Sequence, residues 1–149
     1  MKSIVAYDSV YGNTEKVAKA IGEALGEDAR VLHADQVDAS ELGSLDLLIV
    51  GTPTHGGRPT KPVANLLGKI PSNSLQGTSV AAFDTRSPKT WVKIFGFAAP
   101  KVAGKLKKKG GTLVKEPEPF FVDGTEGPLS EGELERAASW AGEIAGGIS

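Results

Sequence analysis

Residues 3–17 constrain the fold most, because a short apolar strand there runs directly into a polar loop, and that loop opens a helix. Backbone N–H groups at the start of a helix lack intrahelical acceptors and carry partial positive charge, so they attract anions. The loop adds four hydroxyl or amide donors, Ser9, Tyr11, Asn13 and Thr14. Gly12 lets the backbone approach a ligand closely. Because the loop contains no lysine or arginine, the sequence predicts a phosphate held by neutral donors.

This loop differs from the two phosphate loops that are most often recognised in sequences. The chain has neither G-x-x-x-x-G-K-[ST] nor G-x-G-x-x-G here. The simplest alternative is a plain strand-to-helix turn in which Asn13 and Thr14 only cap the helix. Capping accounts for one or two of the donors but not for four donors around a glycine, so we favour the anion site.

The composition limits the class of protein. At 149 residues the chain is expected to form one domain, residues 1–149. The 17 Lys and Arg nearly balance the 18 Asp and Glu, so no strong attraction to nucleic acid or membranes is expected. Without cysteine there is no disulfide, thiolate metal site or thiol catalysis, and His33 and His55 are too few for a histidine-rich metal site. We find neither a signal peptide nor a transmembrane-length apolar run and expect a cytoplasmic protein.

Apolar strands alternate with helical patterns, which predicts an α/β protein with a doubly wound parallel sheet and helices on both faces. Five strands are expected, at residues 2–7, 29–33, 45–50, 79–84 and 111–122, the last interrupted by two prolines. Helices are expected at residues 14–25, after Thr60, near residues 100–109, and from a Ser130/Glu133 capping box onward. A short helix near residues 39–43 is a weaker expectation.

Residues 9–14, Ser-Val-Tyr-Gly-Asn-Thr, resemble the FMN-phosphate loop of the flavodoxin family, whose pattern is Ser/Thr, any residue, Thr, Gly, Asn, Thr. Tyr11 departs from that pattern, as in flavodoxin-like quinone reductases. The resemblance extends over the whole chain and implies a short flavodoxin with five strands in the order 2-1-3-4-5. In that order the loops after the first, third and fourth strands meet in one crevice at the carboxyl ends of the strands.

The loops after the third and fourth strands are polar and longer than a simple connection requires. The segment Gly-Thr-Pro-Thr at 51–54 resembles the second flavin loop of flavodoxin-like quinone reductases and of the flavodoxin domains of flavodiiron proteins. The resemblance implies one bound FMN. The implied FMN-binding residues are Ser9, Val10, Tyr11, Gly12, Asn13, Thr14, Thr52, Pro53, Thr54, His55, Gly56, Gly57, Asp84, Thr85, Arg86, Ser87 and Trp91.

Several of these residues have a second interpretation. His55 either contacts the flavin or is an exposed loop histidine, and Asp84 is most simply a cap or turn acceptor. Trp91 either stacks on the flavin ring or packs onto the core or another subunit. Asp8 resembles the metal-binding acid of a response regulator, but Gly51 stands where that family needs a phosphorylatable aspartate, so that interpretation fails.

The expected function is electron transfer by an FMN-binding, flavodoxin-like protein with a redox partner protein. The alternative is an NAD(P)H-dependent reductase of a quinone or similar acceptor, and a third possibility is a flavodoxin fold without flavin. No catalytic side chain or metal ligand is predicted, and the chain is expected to be a monomer or small homo-oligomer. Positive charge in the ring loops is expected to favour the anionic reduced flavin, and its sources are His55, Arg58, Arg86, Lys89 and Lys93. The run Lys105, Lys107, Lys108 and Lys109 is interpreted as a solvated helix end, with a partner-binding patch as the alternative.

Overall fold

A computed structural model describes residues 1–54, 57–88, 97–124 and 126–148. It contains the strands β1 (Ser3–Tyr7), β2 (Ala29–His33), β3 (Leu47–Pro53), β4 (Ser79–Arg86), β5 (Thr112–Leu113) and β6 (Glu118–Phe121). The α-helices are α1 (Asn13–Leu25), α2 (Lys61–Lys69), α3 (Ala98–Lys108) and α4 (Glu133–Ile148). Short 3-10 helices cover Ala34–Gln36 and Ala39–Ser44.

All strands of the sheet are parallel, and their order is β2-β1-β3-β4-β5, with β6 also paired to β4. The predicted order 2-1-3-4-5 is therefore confirmed. The expected fifth strand is divided into β5 and β6, which extend along the same edge of β4. Proline lacks the N–H that a ladder needs, so Pro117 accounts for the division, whereas Pro119 is tolerated within β6 at the sheet edge.

The helices form a layer on each face of the sheet. On one face, α1 and α4 bury residues such as Val17, Ile21 and Trp140 against β1, β3 and β4. On the other face, α2, α3 and the 3-10 segments bury residues such as Leu66 and Leu106. The strands therefore have apolar residues on both sides, which is the pattern of a parallel sheet covered twice.

Strands β3 and β4 extend further than the sequence predicts. Their pairing continues through Thr52 with Asp84 and Pro53 with Thr85, residues that were expected to lie in loops. In the sequence, Gly51 and Pro53 suggested that β3 ends before them. In the structure, Gly51 lies inside the strand and is required for packing. A Cβ atom at Gly51 would lie 2.0 Å from the ring of Phe83, so only glycine fits beside that ring.

The predicted capping box of α4 is wrong. Ser130 donates its hydroxyl to Asp123 at 2.6 Å. The Glu133 carboxylate accepts the backbone N–H of Phe121 at 2.7 Å and a bidentate interaction from Arg136. The hydrogen bonds from Arg136 lower the pKa of Glu133, which keeps the carboxylate charged. The N–H of Ser130 donates instead to the carbonyl of Phe121 at 2.9 Å, and the Glu133 side chain joins α4 to β6.

Other predicted helix ends are confirmed. Helix α1 ends with Gly26, whose φ of 105° places it in the left-handed region, and Pro62 lies in the first turn of α2. Throughout the described residues, no helix combines the length and apolarity needed to cross a membrane.

Candidate functional site

The loop between β1 and α1 presents unpaired backbone donors. Gly12 is the N-cap residue of α1, with a φ of 92°, and no side chain caps the helix. Within the described part of the chain, the backbone N–H groups of Tyr11, Asn13 and Thr14 have no recorded acceptor. A helix start with several free N–H groups and positive partial charge is an anion site.

Two hydroxyl groups add donors at the same place. The Ser9 oxygen accepts the N–H of Gly12 at 3.0 Å, which leaves the hydroxyl hydrogen of Ser9 available. The hydroxyl oxygens of Thr14 and Thr85 are 2.7 Å apart, so one donates to the other and the acceptor keeps its own hydrogen for another partner. Thr14 is only 1% exposed, so its hydroxyl is held in place by packing.

The other loop side chains have different environments. Val10 and Tyr11 are 49% and 52% exposed, so their side chains lie at the surface beside the donors. Asn13 is buried, and its amide donates to the carbonyl of Glu126 at 3.0 Å. A Cβ atom at Gly127 would lie 2.6 Å from that amide nitrogen. Glu126 and Gly127 therefore support the first loop, a contact that sequence reasoning missed and that only the Gly/Pro cluster there could have signalled.

Two threonine side chains of the second loop form hydrogen bonds that hold this loop in place. Thr52 is fully buried, accepts the N–H of Thr60 at 3.1 Å and donates to the carbonyl of Pro53. Thr54 receives the N–H of Ala98, and its own N–H donates to the carbonyl of Thr85 at 3.0 Å. The hydroxyls of Thr52 and Thr54 thus have structural partners. Pro53 is half-buried at the end of β3.

The rest of the second loop approaches α3. Gly57 is buried with a φ of 78°, and its carbonyl accepts the ammonium of Lys101 at 2.5 Å. The neighbouring His55 and Gly56 lie outside the described residues, as does Trp91, so the interpretations of these three residues stay predictions.

Asp84 and Arg86 form a buried ion pair at the end of β4, where the third loop begins. Asp84 is 0% exposed and accepts two hydrogen bonds of 2.7 Å from Arg86. Its carboxylate also accepts the N–H of Ala99 in the first turn of α3, at 2.9 Å. The interpretation of Asp84 as a cap is therefore confirmed. The Arg86 guanidinium carbon lies 3.5 Å from the centre of the Phe97 ring.

The ion pair of Asp84 with Arg86 changes the charge that was expected near the flavin ring. The charge of Arg86 is compensated by Asp84 at contact distance, so Arg86 contributes little net positive potential. Arg58 is exposed, whereas Lys89 and Lys93 lie outside the described residues. Ser87 is half-buried at the end of β4.

A further polar cluster lies at the ends of β1 and β2, where sequence reasoning had assigned no role to His33. Its Nε2 is 2.8 Å from Asp8, while its Nδ1 accepts the backbone N–H of Asp35 at 3.1 Å. These partners fit the tautomer that carries hydrogen on Nε2. Burial and the neighbouring Glu15 raise the pKa of Tyr7, whose ring contacts His33 edge-on. Among the described residues, no group of three or more His, Asp or Glu is arranged to hold a metal ion.

Comparison with known proteins identifies the family of this chain. The flavodoxin family model matches residues 5–140. The chain belongs to the flavodoxin family. Flavodoxin 1 from Bacillus cereus has a similar structure, with a TM-score of 0.82 over 100% of both chains at 21% sequence identity. The family match and the similar fold therefore agree.

Two curated relatives are similar in sequence. A flavodoxin of Nostoc sp. is 28% identical over 110 residues, which is 72% of this chain and 65% of the relative. Rubredoxin-oxygen oxidoreductase of Megalodesulfovibrio gigas is 27% identical over 122 residues, which is 71% of this chain and 30% of that protein. The matched region thus spans less than two thirds of either relative.

Proposed function

We propose that this protein binds one FMN non-covalently and transfers electrons through it to a redox partner. The observation that carries the proposal is the start of α1, where unpaired N–H groups and the hydroxyls of Ser9 and Thr14 converge without any side-chain cap. These donors fit a phosphate dianion, and no positive side chain is needed to hold it. The bound flavin supplies the redox chemistry, and the protein supplies position and electrostatics.

The chain's own residues would act in three ways. Ser9, Thr14 and the N–H groups of residues 11, 13 and 14 bind the phosphate. Thr54 and Thr85 fix the second and third loops to each other, so that their backbones flank the rest of the cofactor. The buried Asp84 holds the start of α3 beside these loops through the N–H of Ala99.

Spectroscopy and titration test the proposal. Purified protein should show a flavin absorption spectrum, and apoprotein prepared by acid extraction should regain it when FMN is added in a one-to-one ratio. Apoprotein that leaves the fluorescence of FMN unchanged at micromolar concentrations would contradict the proposal. Steady-state oxidation of NAD(P)H with a quinone then separates the electron carrier from the reductase, because a carrier shows no sustained turnover.

A further inference from the structure

The charges of this chain are strongly segregated along the sequence. Residues 47–115 contain twelve of the 17 Lys and Arg but only one of the 18 Asp and Glu. That single acid is Asp84, which is buried and paired with Arg86. The segment includes α2 and α3, which cover the same face of the sheet. The part of this face that α2 and α3 form is therefore basic, although the net charge of the whole chain is only −1.

A groove runs between α2 and α3 on this basic face, with a volume of about 410 Å³. Its apolar lining includes Ala64 and Leu67 of α2, and it also passes Gly68 and Gly104. A Cβ atom at either glycine would meet nothing within 4 Å, so the two glycines leave the groove open. Glycine in a helix interior disfavours the helix, and neither position needs glycine for packing.

Lysines form the edge of the groove. Lys101, Lys105, Lys108 and Lys109 line it. Neither α2 nor α3 contains an aspartate or glutamate, and in the described ranges no carboxylate lies within ion-pair distance of Lys105, Lys108 or Lys109. These three cations therefore pair with no carboxylate in the part of the chain that the structure describes. Lys101 binds the Gly57 carbonyl, so the groove begins at the second loop of the candidate site.

We propose that this groove docks an acidic redox protein, which inserts an apolar side chain between carboxylates that pair with the lysines. The combination of apolar floor and cationic edge selects this occupant. A nucleic acid or an anionic membrane surface would satisfy the lysines but would leave the apolar floor unused. Electrostatic attraction over the surface formed by α2 and α3 accelerates encounter, and the end of the groove lies beside a loop that would flank the cofactor. The description of the partner as a redox protein rests on the proposed function, whereas the binding of an acidic segment does not.

Fluorescence anisotropy with a labelled peptide of Glu-Glu-Leu-Glu repeats tests the groove. The double substitution Lys105→Glu, Lys108→Glu should weaken binding roughly tenfold at about 0.15 M salt, since two attractions become repulsions. The matched control is Lys69→Glu, Lys107→Glu, which makes the same charge change outside the groove lining, with one residue on α2 and one on α3. That control should weaken binding no more than about twofold, because distant exposed charges are screened.

A second pair of measurements tests the apolar part. Gly104→Leu fills the groove without changing the charge. It should also weaken binding of the leucine peptide roughly tenfold. A peptide with serine in place of leucine should bind wild-type protein as weakly as the leucine peptide binds Gly104→Leu. Circular dichroism and FMN content are recorded for every variant, so a loss of fold or flavin is seen separately from a loss of docking.

Several results would overturn the proposal. Equal binding of the leucine and serine peptides, or equal losses in the groove and control variants, would show a general charge effect and no groove. Tighter binding of duplex DNA or phosphatidylglycerol vesicles than of the peptide, with the same lysine dependence, would assign the face to those ligands. Concentration-dependent self-association in sedimentation, abolished by the groove variant, would make a second copy the occupant. Peptide binding by protein that takes up no FMN would keep the groove and remove the redox assignment.

Discussion

Replacement of Thr14 by valine is the sharpest test of the phosphate site, because valine keeps the shape and removes only the hydroxyl. The Thr14 hydroxyl is buried and lies 2.7 Å from the Thr85 hydroxyl. If Thr85 donates to Thr14, the Thr14 hydrogen is free for a phosphate oxygen. A hydrogen bond to a charged group contributes roughly 1 to 3 kcal/mol, so FMN should bind about 5- to 150-fold more weakly to Thr14→Val.

Riboflavin provides the internal control, because it has the ring and ribityl chain of FMN but no phosphate. Fluorescence titration of both ligands should show a large loss for FMN and almost none for riboflavin. Thr85→Val breaks the same inter-loop hydrogen bond without removing a group that faces the phosphate, so its loss should be about 1 kcal/mol or less for either ligand. Equal losses of affinity for FMN and for riboflavin in Thr14→Val would refute the reasoning. The loop would then be a simple helix start.

Three other substitutions test the fold. Glu133→Gln should destabilise the protein by about 1 to 3 kcal/mol at neutral pH. Because folding lowers the pKa of Glu133 through Arg136, wild type has this stability above the ordinary value of 4.5 and loses it as pH falls, so acid-unfolding curves of wild type and variant should converge. Gly51→Ala should cost about 1 to 3 kcal/mol in urea unfolding, and adding Phe83→Leu should restore part of it. Gly104→Ala should raise stability by about 0.5 to 1 kcal/mol in thermal unfolding, and an unchanged midpoint would contradict the open geometry.

The alternation of strands and helices could be predicted from local patterns, whereas the strand order and the meeting of the three loops in one crevice were predicted from the resemblance to the flavodoxin family. Alternating apolar strands and helices have few parallel arrangements, and the loop at residues 9–14 resembles a known phosphate loop closely. The start of α1 at Asn13 differs by one residue from the expected position. Local signals were sufficient for the alternation of elements and for the start of α1.

The sequence could not show which polar side chains have partners within the protein. Arg86 was expected to add positive charge near the flavin ring, but its guanidinium is held by Asp84, two residues earlier on the same strand. The Asn13 side chain, which is predicted to contact phosphate, also donates to the carbonyl of Glu126, 113 residues away, a partner that the sequence did not show. Such partners depend on tertiary packing, which composition and spacing do not encode.

The carboxyl end of β4 joins the three loops into one unit. The Thr85 hydroxyl meets Thr14 of the first loop, its carbonyl accepts the N–H of Thr54 in the second, and the adjacent Asp84 binds the start of α3. Each of these bonds is shielded by burial, so it is stronger and more directional than a surface contact. Because β4 itself lies inside a covered sheet, the donors of the first loop and the backbones of Thr54 and Thr85 are held in place before a ligand arrives. Binding to such a site costs less ordering entropy than binding to loops that must fold around the ligand.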